Sequence, residues 1–291
     1  VIVERTYQSS QVQCTPVEPH IVYSRMEGER LVIHGSTQVP YHVRRIIARI
    51  LGIKENRIRV IKERVGGGFG SKQDMVLEEV AAWATWVTGR DVLYRYTREE
   101  EFINSRTRKT MKVKVKLGAK ADGRLTAISM DLEANTGPYG SHCLTVPMNA
   151  CSKSLPLFLC DNVRFDVHTY YSNVSPSGAY QGYGAPKGSF ALQLAAAEMA
   201  DALGMDPLVF IEKNRVREGV MLEILRCLGE GREGTPQLVH TCGLGPALEQ
   251  GRKLIGWGDK KPSENPDVKV GQGVAIIQQG SGLPLLDAAN A

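Results

Sequence analysis

Between Val65 and Asp74 the chain reads VGGGFGSKQD, with four glycines in five positions broken only by Phe69. Glycine loses more backbone freedom on folding than any other residue. Such a cluster therefore marks a turn too tight for side chains, or a main chain that something must lie against. The chemistry open to it is capture of an anion or oxyanion, because bare N–H groups ahead of a helix can point at a ligand with no side chain between. A second stretch, SGAYQGYGAPKG, also runs into a helical pattern, and a third glycine group, Gln279-Gly280-Ser281-Gly282, lies near the end. Two such loops ahead of helices favour one shared ligand; the alternative is tight strand-to-helix turns that bind nothing.

The loops fail both nucleotide fingerprints. A Walker motif needs Gly-Lys-Ser/Thr, and the order here is Gly70-Ser71-Lys72-Gln73. The dinucleotide motif needs a glycine where Ser71 stands, and no acidic residue follows at the ribose distance on a strand.

The elements that must position these loops are mixed. LVIHGSTQV (Leu31 to Val39) and RIRVIKERV (Arg57 to Val65) read as strands, the second by its period of two, with HVRRIIARILG between them as an amphipathic helix closed by Gly52. After the first loop, Ser71 is expected to cap a helix through DMVLEEVAAWATWVTG, with Gly89 as its stop and Trp83 and Trp86 on its core face. KTMKVKVKLGAKADGRLTAISMDLEANTG reads as a hairpin turning around Ala121-Asp122-Gly123. Residues 137 to 186 read as irregular. SFALQLAAAEMADALG and PLVFIEKNRVREG read as helices, KKPSENPDVK as a linker, and KVGQGVAIIQQGSG as a final strand. The fold class is α+β, with hairpins, mixed sheets and packed helices.

At 291 residues the chain can bury a sizeable core. Its charge of +5 is modest and its basic residues are scattered, which argues against a nucleic-acid partner. No apolar run reaches bilayer length, and VIVERTYQSS lacks the features of a signal peptide. The cysteines Cys14, Cys143, Cys151, Cys160, Cys227 and Cys242 form no CxxC and no zinc spacing, so reduced thiols in a cytoplasmic protein are expected, with no iron–sulfur ligation by this chain. VIVERTYQSS reads like a strand entered midway and GSGLPLLDAANA stops without a cap, as if further polypeptide covered or continued both ends. Glu18 reads as structural; His20, His34 and His142 read as packed or solvated.

GGGFGSKQ with its Ala/Trp-rich helix, TREEEFINSRTRKTMKVKVKLGAKADGRL, SGAYQGYGAPKG and AAAEMADALGMDPLVFIEKN together resemble the molybdenum-cofactor-binding subunit of the xanthine dehydrogenase family, the molybdenum hydroxylases. Within the family it resembles the large molybdopterin subunit of nicotinate dehydrogenases or the bacterial xanthine dehydrogenases. The resemblance implies a first cofactor-binding domain over residues 1–260, and over 261–291 a linker with the start of an incomplete second one. Gln38 matches the glutamine that hydrogen-bonds a molybdenum oxo ligand. Gly67, Gly68, Phe69 and Gly70 match the loop whose backbone lines the metal centre. Gln181 and Gly182 match a second cofactor loop that commonly carries Arg-Gly, and Gly280 and Ser281 begin another. Tyr183 matches an aromatic, often Phe, that packs on the substrate ring. Gln73 stands where animal xanthine enzymes carry a substrate-binding glutamate, and Asn149 aligns with their substrate-orienting arginine; both changes remove a charge. Arg106 and Arg108 either meet cofactor phosphates or solvate a loop. The metal would be held through the pterin dithiolene, with no protein ligand.

The resemblance further implies molybdopterin, of the cytosine dinucleotide form in bacterial members, with sulfur or selenium as terminal ligand. The reaction implied is hydroxylation of an N-heteroaromatic ring of the nicotinate or xanthine/purine type, using water. Electrons would pass to iron–sulfur and FAD partner subunits of a hetero-oligomer. The catalytic glutamate lies further along the family pattern, on a second molybdopterin subunit or C-terminal half, so no catalytic residue is expected in this chain. An aldehyde or aryl-CoA substrate on the same scaffold, or a cofactor-free structural homologue, is the alternative.

Overall fold

The computed structural model describes residues 1–228, 233–259 and 262–279. In chain order its elements are β1 (Ile2–Ser9), β2 (Val12–Gln13), β3 (Ile21–Glu27), β4 (Arg30–Gly35), α1 (Pro40–Leu51), β5 (Ile58–Ile61), α2 (Glu78–Thr88), β6 (Val92–Arg95), α3 (Arg98–Asn104) and β7 (Thr107–Arg108). They continue through β8 (Met111–Ala119), β9 (Leu125–Asn135), α4 (Thr145–Ser154), β10 (Val163–Tyr170), β11 (Ser177–Gly178), α5 (Ala185–Ala202), α6 (Pro207–Asn214), β12 (Met221–Leu222), β13 (Gln237–Leu238) and α7 (Leu244–Ile255).

Strict alternation builds the larger sheet. In β8 the apolar residues fall on every second position, so Met111, Val113, Val115 and Leu117 are buried while Lys112, Lys114 and Lys116 face water. β8 pairs antiparallel with β1 and β9, and β10 joins β9 in parallel, giving the order β1-β8-β9-β10. The hairpin turn sits where the sequence places it, with Gly123 at φ 87°. Val146 and Ala150 of α4, and Leu192, Ala195 and Met199 of α5, complete this core.

The second sheet runs β5-β4-β3-β6. Val43 and Ile47 of α1 and Ala81 and Ala82 of α2 pack against its Val22, Leu31 and Ile33. A three-stranded ribbon, β11-β7-β2, borrows its strands from beside the larger sheet, and β11 leads the chain straight into the second glycine loop. The class is α+β, as the patterning predicts.

Four local expectations are corrected. Ser71 caps no helix: Ser71–Gln73 is one 3₁₀ turn, Asp74 is extended and α2 begins at Glu78. The Ser71 hydroxyl instead donates to Gly68 O at 2.9 Å, which closes the glycine loop on itself. Trp83 is 57% exposed, because α2 turns small residues (Ala81, Ala82, Thr85) to the sheet; Trp86 does pack against this core, half-buried, with the Arg57 guanidinium 5.2 Å from its ring centroid. The stretch 137–186 contains α4 and β10; TVPMNACSKS has weak helix propensity and is held by burial of Val146, Ala150, Cys151 and Ser154. The segment 262–279 forms no strand; Ile276 is buried and its N–H donates to Gln193 Oε1 on α5 at 3.1 Å.

α4 and α5 touch at glycine: a Cβ on Gly188 would overlap the Ala150 carbonyl oxygen. Gly188→Ala is expected to destabilise the protein by roughly 3 kcal/mol, the upper end for overpacking, since the atom met is backbone. Gly251→Ala in α7, which meets nothing within 4 Å, should leave stability unchanged or slightly raised. Urea unfolding midpoints check both.

Candidate functional site

The two glycine loops meet backbone to backbone. Gly70 adopts φ 106°, and a side chain there would come within 2.7 Å of the Ala179 carbonyl carbon and 2.9 Å of Tyr180 N. Next to this contact the Gln181 N–H donates to Phe69 O at 2.9 Å. Gln38, just ahead of α1, anchors the first loop from the other side: its Oε1 accepts the Gly70 N–H at 3.0 Å and its own N–H donates to Lys72 O at 2.8 Å. A Cβ at Gly68 would lie 2.5 Å from that same Oε1, so the loop closes on Gln38 only with glycine there.

The donors left over define the site. Among the described residues the N–H groups of Gly67, Gly68 and Phe69 have no acceptor, although Gly68 is buried, and Gln38 Nε2 has no partner. Phe69 holds φ 54°, a left-handed backbone uncommon for an aromatic, and its ring is 46% exposed. The result is a run of three successive main-chain donors without an acceptor among the described residues, groups that can bind anionic oxygens.

Lys72 points away from this run. Its fully buried Nζ donates to Glu18 O (2.9 Å), Glu18 Oε2 (2.8 Å) and Ser36 Oγ (2.8 Å). Glu18 Oε2 also accepts the Gly66 N–H at 2.9 Å. Burial alone pushes the Glu18 carboxyl up, but the hydrogen bonds from Lys72, Ser36 and Gly66 outweigh it and hold it below the ordinary carboxylate range. The Gly-Ser-Lys order is thus a structural tie, and Glu18 has the structural role its sequence context suggests.

On the second loop, Tyr183 adopts φ 48°; its hydroxyl meets His142 Nδ1 and lies 2.8 Å from Thr145 Oγ1. Asn149 sits beneath the loop, 6% exposed, with Nδ2 donating to Tyr183 O (2.9 Å) and Oδ1 accepting from Ser152 Oγ (2.9 Å). Both ends of its amide are engaged, so Asn149 supports the loop from below. Gln73 is half-buried, and its amide has no partner among the described residues. Arg108 Nη2 donates to Gln181 O at 2.9 Å, its guanidinium lies 4.2 Å from the Tyr180 ring centroid, and its Nη1 is buried without a partner among the described residues. Arg106 instead pairs with Asp74 at 3.0 Å. A groove of about 1150 Å³ begins at Gly182 and is lined by Pro186, Phe190, Gln193, Trp257 and Ile277. Gly280 and Ser281 lie outside the described residues.

Sequence reasoning missed Asp74 and His142 as partners, and it missed Lys109 and Lys187. The last two are buried amines whose Nζ atoms donate to Ser141 O (2.8 Å) and Ser10 O (3.0 Å), and burial lowers them to about 8 and about 7. Only Lys187 lies in a glycine-rich stretch; nothing local marked Lys109, and the partners are 32 and 177 residues away.

The molybdopterin cofactor-binding domain matches residues 1–215. The chain belongs to the molybdenum-cofactor-binding xanthine dehydrogenase family. It is 60% identical over 291 residues to the probable hypoxanthine oxidase XdhD of Escherichia coli K12, covering all of this chain and 30% of that protein. It is 31% identical over 258 residues to the nicotinate dehydrogenase large molybdopterin subunit of Eubacterium barkeri, covering 88% of this chain and 59% of that subunit. The solved aldehyde oxidoreductase of Desulfovibrio gigas superposes with a TM-score of 0.77 at 26% identity, covering 87% of this chain and 27% of that one. The chain therefore spans about a third of the length of the XdhD relative.

The residues present fit the family's cofactor. Three adjacent unpaired N–H groups, the spare Gln38 Nε2 and the buried, unpartnered Arg108 Nη1 are donors for an anionic, oxygen-rich group, and each buried donor costs about 1–3 kcal/mol while unmet.

Lys72→Met is expected to destabilise the protein by about 2–3 kcal/mol, somewhat under the value for a wholly buried pair because Glu18 is one-third exposed. Adding Glu18→Gln should recover part of the loss in thermal melts. Burial pushes the Asp74 carboxyl up, yet hydrogen bonds from His142 and Ser141 and the Arg106 charge bring it down to about 2. Its folded value is depressed, so its contribution to stability is complete above about pH 4 and is lost as pH falls toward 2. Acid-unfolding curves of Asp74→Asn should lack that part of the pH dependence.

Proposed function

We propose that this chain forms the first cofactor-binding part of a molybdenum hydroxylase subunit that oxidises an N-heteroaromatic ring, of purine type before nicotinate type, with water as oxygen source. The observation that carries the reading is the joined pair of glycine loops with adjacent main-chain donors left unpaired. The 60% identity to a probable hypoxanthine oxidase supports the purine choice. When bound, the pterin-held molybdenum supplies the two-electron redox centre. Gln38 Nε2 and the Gly67, Gly68 and Phe69 N–H groups would hold it by hydrogen bonds to its oxygens, and Gly70 lets the loop meet its neighbour. Gln181, Gly182 and Arg108 Nη1 would hold its anionic groups, and the N-terminus of α5 suits the phosphates of a cytosine dinucleotide.

Gln73 offers the substrate a neutral amide that both donates and accepts, and Tyr183 supplies a ring wall. Asn149 acts by holding the Tyr183 backbone. No catalytic residue is assigned to this chain; the glutamate of the family pattern belongs to further polypeptide. Residues 1–260 form the first cofactor domain, and 261–291, with Gly280 and Ser281, begin the second. Iron–sulfur and FAD partner subunits in the cytoplasm complete the electron path, and the terminal ligand is sulfur or selenium. Aldehyde oxidation is the second reading, favoured by the likeness to the Desulfovibrio gigas aldehyde oxidoreductase.

Elemental analysis of the assembled enzyme from its native source should find stoichiometric molybdenum with iron. Turnover of hypoxanthine should exceed that of nicotinate and of an aromatic aldehyde. Gln38→Ala is expected to lower molybdenum content severalfold with the fold retained by circular dichroism. A folded native assembly without molybdenum would return the glycine loops to structural turns.

A further inference from the structure

Three non-glycine residues at this site hold left-handed backbone: Phe69 (φ 54°), His142 (φ 47°) and Tyr183 (φ 48°). Such residues persist only where their surroundings fix them, and they gather at functional sites. Two of the three touch each other. The His142 and Tyr183 rings meet edge to face, 5.2 Å between centroids at 87°, and His142 Nδ1 faces the Tyr183 hydroxyl. On the far side of the imidazole, His142 Nε2 lies 3.3 Å from Asp74 Oδ1. Asp74 Oδ2 is held in turn by Arg106 Nε at 3.0 Å and by the Ser141 hydroxyl.

The directions of these bonds follow from the donors available. Asp74, paired with Arg106, is a carboxylate and can only accept. In the tautomer that carries its proton on Nε2, toward the carboxylate, Nδ1 keeps a lone pair for the phenol. Tyr183 O–H donates to that lone pair, and Thr145, 2.8 Å away, supplies a hydrogen bond to the phenol oxygen. The phenol oxygen is thus held from two sides, which fixes the tip of the ring and limits how far it can swing.

We infer that His142 is a positioning residue, which orients the Tyr183 ring against the substrate through an Arg106–Asp74–His142–Tyr183 relay and so sets which ring systems the site accepts. The consequence rests on the functional reading above, and the relay on the distances alone. Where the family commonly has Phe, a phenylalanine ring would have no such tether. It would keep the packing against the larger core and lose only the hold on its tip, so this chain has the more narrowly held wall, which favours flat, fused ring substrates over small or flexible ones.

The test has two readouts on the assembled enzyme. In the first, 3-fluorotyrosine is incorporated and the Tyr183 resonance is assigned by its loss in Tyr183→Phe. His142→Ala should shift and broaden that ¹⁹F resonance. His142→Asn should restore it, since an amide oxygen can stand in for Nδ1 and Asn tolerates positive φ. A resonance unmoved by His142→Ala would overturn the relay whether or not the enzyme carries molybdenum. In the second readout, His142→Ala should raise KM for hypoxanthine about three- to tenfold, the loss of one hydrogen bond's worth of positioning, with kcat within about twofold. It should have no further effect in a Tyr183→Phe background. Additive effects in that cycle, or a fall in kcat at constant KM, would refute the positioning role. A wild-type enzyme without molybdenum or turnover would instead remove the functional reading and leave the relay to stand or fall on the fluorine spectrum.

Discussion

Everything at the site depends on one steric contact, the approach of Gly70 to the Ala179–Tyr180 peptide. Ribbon strand β11 delivers one of these backbones and the β5-to-α2 connection delivers the other. Bringing them within van der Waals distance turns two separate loops into one surface. The Gln181-to-Phe69 hydrogen bond then fixes their register. Had either position carried a side chain, the loops would part by several ångströms and the unpaired donors of Gly67, Gly68 and Phe69 would no longer converge with the Gln181–Gly182 backbone. The glycines are thus spent on the meeting of two chains as much as on any single turn.

Charge is arranged around this surface so that little of it reaches the surface itself. Lys72 is consumed by Glu18 and Ser36, and Asp74 by Arg106, Ser141 and His142. The loop next to Lys72 consequently presents main-chain dipoles rather than a lysine charge. Arg108 is the exception: its guanidinium is stacked on Tyr180 and tied to Gln181 O, yet one nitrogen remains unmet. A cation held rigidly at the edge of a dipolar cradle orients an extended anionic ligand, whereas a mobile lysine would merely attract it.

Much of this was legible in the sequence. The strict alternation of KTMKVKVKLGA, the Gly52 stop and the Ala121-Asp122-Gly123 turn each express a local rule, and the structure follows them. The pairing of the two glycine loops could be anticipated because both precede helices. What escaped notice depends on distant partners. Ser71 looks like a helix cap until Gly68 O competes for its hydroxyl. Trp83 looks like core until the close approach of α2 to its sheet demands alanine there. The helix around Asn149 exists only because tertiary burial overrides poor propensity, and His142 reads as an isolated residue because Asp74 and Tyr183 stand 68 residues before it and 41 after it. The likeness to a known family supplied the ligand; no local rule names a pterin.

The glycine seam between α4 and α5 has a mechanical meaning. With Gly188 seated on the Ala150 carbonyl, the two helices have no cushion of side chains across which to slide, so they form a stiff plate. Asn149 and Tyr183 ride on that plate together. The wall that carries Asn149 and Tyr183 thus inherits the rigidity of two helices packed backbone to backbone.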